Sequence, residues 1–279
     1  MKIDMNTKII EVTAGNLQEH PQVICFINPK HQYYPLKIEW LQDRFREGLR
    51  IKLLYIEEEK RPVGFIEYVP GEKCWRAVSA EGYTFIHCLW TNGKKFQHQG
   101  LGAQLLAEVE KDSKGTAGIA VLTSDASFMA GRELFLKNGY NLVQEDGKEQ
   151  LLVKKNTGSG LEERAEDEKR AEQGLPEAAG APPVPSINDW RSELARYTGL
   201  FMVYSMQCPW VARFIEEVKP VLAEYKLNPE IIQLKKAEEA QRAPSLYGVF
   251  SLIRDSRLLA DRYISTTRFR NILKKEYGR

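Results

Sequence analysis

The sequence predicts a protein with two α/β domains joined by a charged linker, and three observations support this class. The chain has 279 residues, which is enough for about two domains of ordinary size. Short β-rich runs alternate with amphipathic helical segments in both halves of the chain. Between the halves, residues 155–188 are charged and proline-rich and contain few bulky apolar side chains. Such a segment cannot bury enough surface to offset the entropy of ordering it, so we predict a flexible linker there.

The N-terminal half, residues 1–154, is predicted to form the first domain. Runs rich in β-branched and aromatic residues predict four strands, at Lys52–Glu57, Val63–Val69, Tyr83–Trp90 and Ile119–Ser124. Apolar residues spaced three and four apart predict three helices, at Leu36–Gly48, Leu101–Ser113 and Ala126–Asn138.

The C-terminal residues 189–279 are predicted to form a second, smaller domain. Its predicted strands are Leu200–Tyr204, Glu230–Leu234, Tyr247–Ile253 and Leu258–Tyr263. Its predicted helices are Trp210–Lys226, Ala237–Gln241 and Thr266–Tyr277. The order along the chain is β-α-β-α-β-β-α, which again indicates an α/β domain.

Charge and cysteine usage argue against several classes of protein. The chain has 40 Lys and Arg against 38 Asp and Glu without a basic run, which argues against a dedicated nucleic-acid binder or a protein of anionic membranes. No apolar stretch reaches the roughly 18 to 20 residues of a bilayer span, and the N-terminus lacks a signal h-region. We therefore expect a cytoplasmic protein. The four cysteines are too widely spaced to predict a disulfide framework or a metal site; they are Cys25, Cys74, Cys88 and Cys208.

A glycine-containing loop between a predicted strand and a predicted helix suggests a phosphate site. Residues Gln97–Gly102 fit the pattern Gln/Arg-x-x-Gly-x-Gly/Ala. Gly100 and Gly102 would let the backbone approach a ligand and leave amide N–H groups free at the start of the helix. These donors and the helix dipole suit a pyrophosphate. By itself the pattern also fits an ordinary tight turn between a strand and a helix.

A second motif follows about thirty residues later. Residues Ala130–Tyr140 form a predicted helix that ends in Gly139 and Tyr140, directly after the strand Ile119–Ser124. This pair of motifs, in this order, resembles the GNAT acetyltransferase superfamily. Further segments are similar to bacterial acetyltransferases that carry a C-terminal YoaP-like domain: Val63–Pro70, Gly82-Tyr83, Cys88-Leu89-Trp90 and Gln207-Cys208-Pro209.

The resemblance covers roughly residues 8–153 and 195–279 and implies both a fold and a co-substrate. The fold it implies is α/β (α+β), a GNAT domain with a mixed central sheet followed by a smaller thioredoxin-like α/β domain. The co-substrate it implies is acetyl-CoA. Its pyrophosphate would be bound, mostly by backbone amides, at Gln97, His98, Gln99, Gly100, Leu101 and Gly102. The backbone of Leu89 and Trp90 would pair with the pantetheine arm.

Transfer to an amine requires a group that removes a proton. His87 lies in the strand before the loop, with Phe85 and Leu89 on the same face by alternation, and imidazole titrates in the required range. Glu67 lies in an apolar strand, where a carboxylate either pairs structurally or acts as a base of raised pKa. The third candidate is Tyr83, although an aromatic residue at such a position more often has a packing role. A hydrogen-bonded structural histidine is the alternative for His87.

One position departs from the superfamily pattern. Many members have a tyrosine four residues before the glycine that ends the second motif, where it protonates the leaving thiolate. This chain has Phe135 there, which cannot donate a proton. Another group or water would then supply the proton, or the domain would bind acyl-CoA with little or no turnover.

The second domain has a single thiol at the start of a predicted helix. Cys208 is followed by Pro209, which suits the first helical position, and the helix dipole should favour a thiolate. Val211 stands where a C-x-x-C motif would have its second cysteine. The stretch around Pro244 resembles the cis-proline loop that faces the thiol in thioredoxin-like folds, so a cis peptide bond is expected there. Three interpretations remain: a monothiol redox group, a thiol that recognises a thiol-bearing substrate, or a scaffold used for docking.

These observations lead to one hypothesis and one alternative. The hypothesis is an acetyl-CoA-dependent N-acetyltransferase that acts on the amine of a small molecule by direct attack in a ternary complex. The alternative is a thioredoxin-like redox or thiol-binding protein that uses Cys208, with the GNAT domain as an acyl-CoA sensor. The sequence predicts neither the identity of the acceptor nor the oligomeric state.

Overall fold

The computed structural model describes residues 6–21, 28–59, 61–96, 98–124, 130–156 and 182–278. Most of the predicted linker, the start of the predicted helix Ala126–Asn138, and Cys25 lie outside the described residues.

The chain divides into two compact units that are not contiguous in sequence. The first unit takes the described residues within Met1–Glu11, Arg50–Glu72 and Ala80–Ser186. The second unit takes those within Val12–Leu49, Lys73–Ser79 and Ile187–Arg279. Two N-terminal segments, Val12–Leu49 and Lys73–Ser79, therefore pack together with the C-terminal residues.

The strands alternate with helices along the chain. The strands are β1 (Thr7–Val12), β2 (Arg50–Ile56), β3 (Gly64–Pro70), β4 (Val78–Ser79), β5 (Thr84–Thr91), β6 (Gly118–Ser124), β7 (Asn141–Asp146), β8 (Glu149–Lys155), β9 (Ser186–Ile187), β10 (Leu200–Ser205), β11 (Glu230–Leu234), β12 (Phe250–Arg254) and β13 (Arg257–Ala260). The helices are α1 (Tyr34–Arg46), α2 (Leu101–Asp112), α3 (Arg132–Lys137), α4 (Trp190–Glu193), α5 (Pro209–Glu217), α6 (Lys219–Glu224), α7 (Ala237–Gln241) and α8 (Thr266–Tyr277).

The first unit is built on a mixed sheet. Among the described residues its strand order is β1-β2-β3-β5-β6-β8-β7. Strands β5 and β6 run parallel, whereas the pairs β2–β3, β3–β5, β6–β8 and β7–β8 are antiparallel. The predicted mixed α/β class is confirmed. Strands β1, β7 and β8 were not among the predicted elements.

Helix α2 covers one face of this sheet, and the apolar stripe that predicted the helix is the face that it buries. Its residues Leu101, Leu105, Leu106 and Val109 are at most 1% exposed. They belong to one core cluster with sheet residues that include Ile66, Tyr68, Ile86 and Val121. Burying such side chains contributes roughly 1.5 to 3 kcal/mol each, so this face holds α2, and with it the loop before α2, against the sheet.

A charged network joins β1, β2 and β3 to the end of α2. Lys52 is only 6% exposed, and its Nζ lies 2.7 Å from an oxygen of Glu11 and 3.0 Å from Asp112 Oδ2. Arg50 Nη1 lies 2.9 Å from the same Asp112 oxygen, and the Tyr68 hydroxyl donates a hydrogen bond to it. Burial would raise the pKa of Asp112, but the Tyr68 hydrogen bond and the cations Lys52 and Arg50 outweigh it and hold the pKa below its ordinary value.

The network predicts a pH-dependent contribution to stability. Because the folded-state pKa of Asp112 is depressed, its stabilisation is present above the unfolded-state pKa of about 3.9 and is lost as pH falls through the folded-state value. We expect Asp112→Asn to lower the free energy of unfolding by about 2 kcal/mol at pH 7, since the buried Lys52 loses one of its two charged partners. Urea unfolding followed by circular dichroism at pH 7 and below pH 4 measures this, and the deficit should shrink at the lower pH.

The matched control is Asp43→Asn, which breaks an exposed ion pair with Arg46 on α1. Exposed pairs of this kind contribute about 0 to 1 kcal/mol. A deficit for Asp112→Asn that equals the control, or that does not change with pH, would contradict the prediction.

The second unit has a smaller sheet of order β11-β10-β12-β13 in the described residues. β10 and β11 run parallel, whereas β10–β12 and β12–β13 are antiparallel. The element order follows the predicted β-α-β-α-β-β-α arrangement with one correction. The predicted helix Trp210–Lys226 is two helices, α5 and α6, which break at Val218. Pro220 lacks the N–H needed to continue the helical hydrogen bonds through this point.

No helix within the described ranges has the length and apolarity required to cross a bilayer.

Candidate functional site

The parallel strands β5 and β6 separate halfway along β5. Their ladder pairs Thr84 with Ile119, Phe85 with Ala120 and Ile86 with Val121, and it ends there. β5 continues to Thr91, paired with β3 on its other edge as far as Gly64. Within the described residues, the β5 edge that faced β6 therefore has no strand partner from His87 to Thr91. Main-chain donors and acceptors on such an edge are available to a ligand that pairs as a strand does.

A β-bulge lies at the point where the strands separate. In the β3–β5 ladder Glu67 pairs with Cys88 and Tyr68 pairs with Ile86, so His87 is the extra residue. A bulge interrupts the alternation of side chains, and Ile86 and Leu89 consequently both join the core cluster under α2. The prediction that Leu89 shares a face with His87 is therefore wrong, because strict alternation holds only without a bulge.

His87 and Glu67, two of the predicted candidates for the base, are brought together here. His87 Nδ1 lies 3.3 Å from Glu67 Oε1, and the two residues are 1% and 6% exposed. The ring of Phe85 packs edge-on against the imidazole at 5.9 Å between centroids. When Nδ1–H donates to Glu67, the lone pair on Nε2 is the one that accepts a proton. The pair is therefore chemically suited to act as an oriented base.

Tyr83 lies just before β5 and is buried, which raises the pKa of its hydroxyl. In the described part of the chain this hydroxyl does not hydrogen-bond to His87 or Glu67. The backbone of Tyr83 accepts a hydrogen bond from Gly71 at 2.7 Å. The structure thus places Tyr83 immediately before the strand that carries His87 but does not join it to the pair.

The loop before α2 has the backbone geometry that the glycine pattern predicts. Gly100 is the N-cap residue with φ of +85°, and a Cβ built there would meet no atom within 4 Å. The first helical hydrogen bond of α2 is donated by Gln104 to Gly100, which leaves the amides of Leu101 and Gly102 without an intrahelical acceptor. The start of α2 thus combines N–H groups that lack intrahelical acceptors with the positive end of a helix dipole, next to open space at Gly100.

The remaining predicted residues of the co-substrate site lie on or beside this loop. His98 is left-handed with φ of +59° and exposed, whereas Gln99 is half-buried. On β5, Leu89 is buried and Trp90 is half-buried. Gln97 lies outside the described residues.

Phe135, which stands where many superfamily members have an acid, belongs to the core. It is 1% exposed and contacts the ring of Tyr140 at 5.4 Å between centroids in a T-shaped arrangement. The Tyr140 hydroxyl is buried with no hydrogen-bond partner among the described residues. Burial, with a smaller contribution from Glu110, raises its pKa. Phe135 has no proton to donate, and the Tyr140 hydroxyl is buried with a raised pKa.

The thiol of the second unit is half-buried at the N-cap of α5. Burial raises the pKa of Cys208 above its ordinary value, although the amides of Trp210 and Val211 and the cations Lys37 and Arg76 oppose it. The shift is opposite in direction to the one that the helix start predicts, because burial outweighs the amides and the cations.

Sequence reasoning missed the two cations beside this thiol. Lys37 and Arg76 are 2% and 4% exposed. Lys37 Nζ donates to the Gln207 carbonyl at 2.7 Å, and Arg76 donates to the Gln207 side chain. They lie more than 130 residues away in the chain, and no local pattern connects them to Cys208.

The cis peptide bond expected at Pro244 is not present. Every described peptide bond is trans, so that prediction is wrong.

The raised pKa predicts a slowly reacting thiol. We expect alkylation of Cys208 by iodoacetamide to be slower in the native protein than in the urea-unfolded chain at about pH 7.5 and to keep rising above about pH 9, since only the thiolate reacts. Peptide mass spectrometry over a pH series measures the rate at this residue. A rate that levels off below about pH 8 would contradict the prediction.

No cluster of three or more His, Cys, Asp or Glu side chains in the described ranges is arranged to hold a metal ion.

The comparisons with known proteins concern both the N-terminal part and the whole chain. Residues 17–140 match the model of the Acetyltransferase (GNAT) family. Over 270 residues the chain is 25% identical to an uncharacterized N-acetyltransferase, YoaP, of Bacillus subtilis (strain 168), and the match covers 95% of this chain and 97% of that protein.

Solved acetyltransferase structures are similar to about half of the chain. The PaiA N-acetyltransferase of Thermoplasma acidophilum, in complex with coenzyme A, is 18% identical over 54% of this chain and 99% of its own, with a TM-score of 0.37. An acetyltransferase of Thermus thermophilus is 17% identical over 54% of this chain and 97% of its own, with a TM-score of 0.40.

Proposed function

We propose that this chain is an acyltransferase that moves the acetyl group of acetyl-CoA to the amine of a small molecule, as the match of residues 17–140 to the model of the Acetyltransferase (GNAT) family suggests. The observation that carries the proposal is the separation of β5 from β6 beside the amide-lined start of α2. This arrangement offers an edge of main-chain groups and an anion site in the same unit.

Acetyl-CoA fits these two features by its own chemistry. Its pyrophosphate carries negative charge and would accept hydrogen bonds from the amides of Leu101 and Gly102 at the helix start. Its pantetheine arm contains two amides, which would pair with the open edge of β5 at Leu89 and Trp90 as a strand does. The open space at Gly100 allows a ligand to approach the backbone closely.

The transfer itself is a direct attack in a ternary complex. The amine nitrogen forms a bond to the acetyl carbon, the bond between that carbon and the CoA sulfur breaks, and the amine loses a proton while the thiolate gains one. His87 would receive the amine proton at Nε2, with Glu67 holding the opposite nitrogen. The thiolate would take its proton from the protonated base or from water, because Phe135 has no proton to donate.

For the C-terminal part of the second unit we propose a thioredoxin-like fold within the predicted bounds of 189–279, with 155–188 as the linker after a first domain of 1–154. Its support is the sheet order β11-β10-β12-β13 with one parallel pair. The alternative function, redox or thiol chemistry at Cys208, gains no support from a thiol whose pKa is raised.

An assay of free CoA release with a panel of amines tests the proposal. The full chain is incubated with acetyl-CoA and with aliphatic, aromatic and amino-sugar amines, with lysine-containing peptides as the comparison set. We expect release that requires a small amine, with an acetylated product by mass spectrometry, and equal rates for Cys208→Ser. Transfer to peptides only would contradict the small-molecule acceptor. Absence of acetyl transfer to every amine, together with a thiol activity that Cys208→Ser loses, would favour the alternative function.

A further inference from the structure

The second unit contains a cavity that the acetyltransferase proposal does not use. Its volume is about 370 Å³, which lies within the range of small-molecule sites. Its walls come from α1, from α5 and from the carboxyl ends of β10 and β11. Ligands of α/β sheets commonly bind where parallel strands end, and β10 and β11 are the parallel pair of this sheet.

On the α1 wall two buried donor atoms, Trp40 Nε1 and Arg44 Nε, make no hydrogen bond among the described residues. Trp40 is 7% exposed, and its indole Nε1 has no hydrogen-bond partner among the described residues. Arg44 is also 7% exposed. Its Nη1 makes one long hydrogen bond of 3.5 Å, to the Lys235 carbonyl. Its Nε lies 3.0 Å from Glu47 Oε2 but makes no hydrogen bond. A guanidinium has five N–H donors, and buried donors are rarely left unused in native proteins.

Aromatic rings hold this guanidinium in place. The Arg44 Cζ lies 4.8 Å from the ring centre of Trp75 and 5.7 Å from that of Trp40. The two indole rings contact each other at 5.5 Å in a T-shaped arrangement. A guanidinium stacked in this way is already oriented, so a ligand that accepts from it does not have to order it.

The rest of the lining combines apolar and charged side chains. The apolar lining includes Leu36, Met206, Ile215 and Leu234. The carboxylates of Asp43 and Glu216 are paired with Arg46 and Lys219, at 2.6 Å and 2.5 Å. Lys235 adds a second cation to the lining. Glu39 adds a carboxylate, which disfavours a ligand with two negative charges.

From these contacts we propose that the cavity binds a small monocarboxylate with an apolar or aromatic body. The carboxylate accepts hydrogen bonds from Trp40 Nε1 and from the guanidinium of Arg44, and the body lies against the apolar wall. A carboxylate suits this wall because it offers two acceptor oxygens and a charge opposite to that of Arg44. A cation of the same size would leave the indole donor unused and would face the guanidinium.

Calorimetric titration of the full chain with three matched compounds tests the proposal. The probes are 3-phenylpropionate, the neutral 3-phenylpropanamide and the cationic 3-phenylpropylamine, which share one body and differ in the head group. We expect saturable binding of the carboxylate and affinities at least about tenfold weaker for the other two, since hydrogen bonds to a charged acceptor are the stronger ones.

Two variants locate the binding, and one controls for charge. Arg44→Lys keeps the charge but removes the planar donors, and Trp40→Phe keeps an aromatic ring but removes the indole N–H. Each should weaken 3-phenylpropionate about tenfold or more. Lys274→Gln, on the exposed side of α8, should bind as the wild type does. Thermal unfolding establishes whether each variant folds. If Arg44→Lys does not fold, the affinity of Trp40→Phe for 3-phenylpropionate tests the site.

The proposal is overturned by any of three results. These are no saturable binding of 3-phenylpropionate at millimolar concentration, equal affinity for the three probes, or unchanged affinity in a folded Trp40→Phe variant. None of these results bears on acetyl transfer, because the binding assay contains no acetyl-CoA.

Discussion

Acetyl-CoA binding is expected to weaken at least about a hundredfold when Gly100 is replaced by valine. Gly100 has φ of +85°, and a β-branched residue strongly disfavours that conformation. The loop would have to change, and the amides of Leu101 and Gly102 would turn away from the pyrophosphate. Each lost hydrogen bond to a charged group costs roughly 1.5 to 3 kcal/mol, so that two of them account for the expected loss. Calorimetry with acetyl-CoA measures the effect.

The matched control is Gly115→Val, just beyond the other end of the same helix. A Cβ at Gly115 meets no atom within 4 Å, and its backbone is not in the left-handed region. This variant should bind acetyl-CoA as the wild type does. Equal affinities for the two variants would show that the loop geometry at Gly100 is not required for binding.

Turnover is expected to fall roughly 10²- to 10³-fold in His87→Gln, while acetyl-CoA affinity stays within about threefold of the wild type. The reason is that His87 supplies the group that takes the amine proton, whereas its side chain has no part in holding the pyrophosphate. Rates of CoA release at saturating acetyl-CoA measure the first effect, and calorimetry measures the second.

Two further variants separate a base from a structural histidine. Glu67→Gln keeps the shape of the partner but removes its charge, and turnover should fall about tenfold or more. His20→Asn, elsewhere on the chain, should leave turnover unchanged. If His87→Gln unfolds the first unit, or if it turns over at the wild-type rate, the role of His87 as the base is contradicted.

Helices and strands could be predicted from the sequence where the spacing of their apolar residues coincides with the face that they bury. Helix α2 is one such part, because its apolar stripe of Leu101, Leu105, Leu106 and Val109 is the face that packs on the sheet. Strands β3 and β6 were predicted because long apolar runs are typical of strands buried on both faces. β7 was not predicted, because it is an edge strand with a bulge and with exposed residues at Leu142 and Val143. Its sequence therefore shows neither alternation nor an apolar run.

The candidate site was predicted where a single segment determines it. The loop around Gly100 is such a segment, since its glycine spacing and its position before a helix are both local. The bulge at His87 depends on how β3 pairs with β5, and strict alternation therefore assigned Leu89 to the wrong face. The raised pKa of Cys208 depends on its burial, and the distant cations Lys37 and Arg76 oppose that effect. Such long-range contacts leave no signal in a single sequence.

Hydrogen exchange of the full chain, with and without saturating acetyl-CoA, tests most directly whether the co-substrate lies along β5 and at the start of α2. Peptide-level mass spectrometry reports the exchange of backbone amides, which are the groups assigned to binding. We expect slower exchange in residues 87–92 and 98–104 when acetyl-CoA is bound, and unchanged exchange in residues 200–212 around Cys208. Protection confined to 200–212, or no protection in the two first-unit segments, would contradict this expectation.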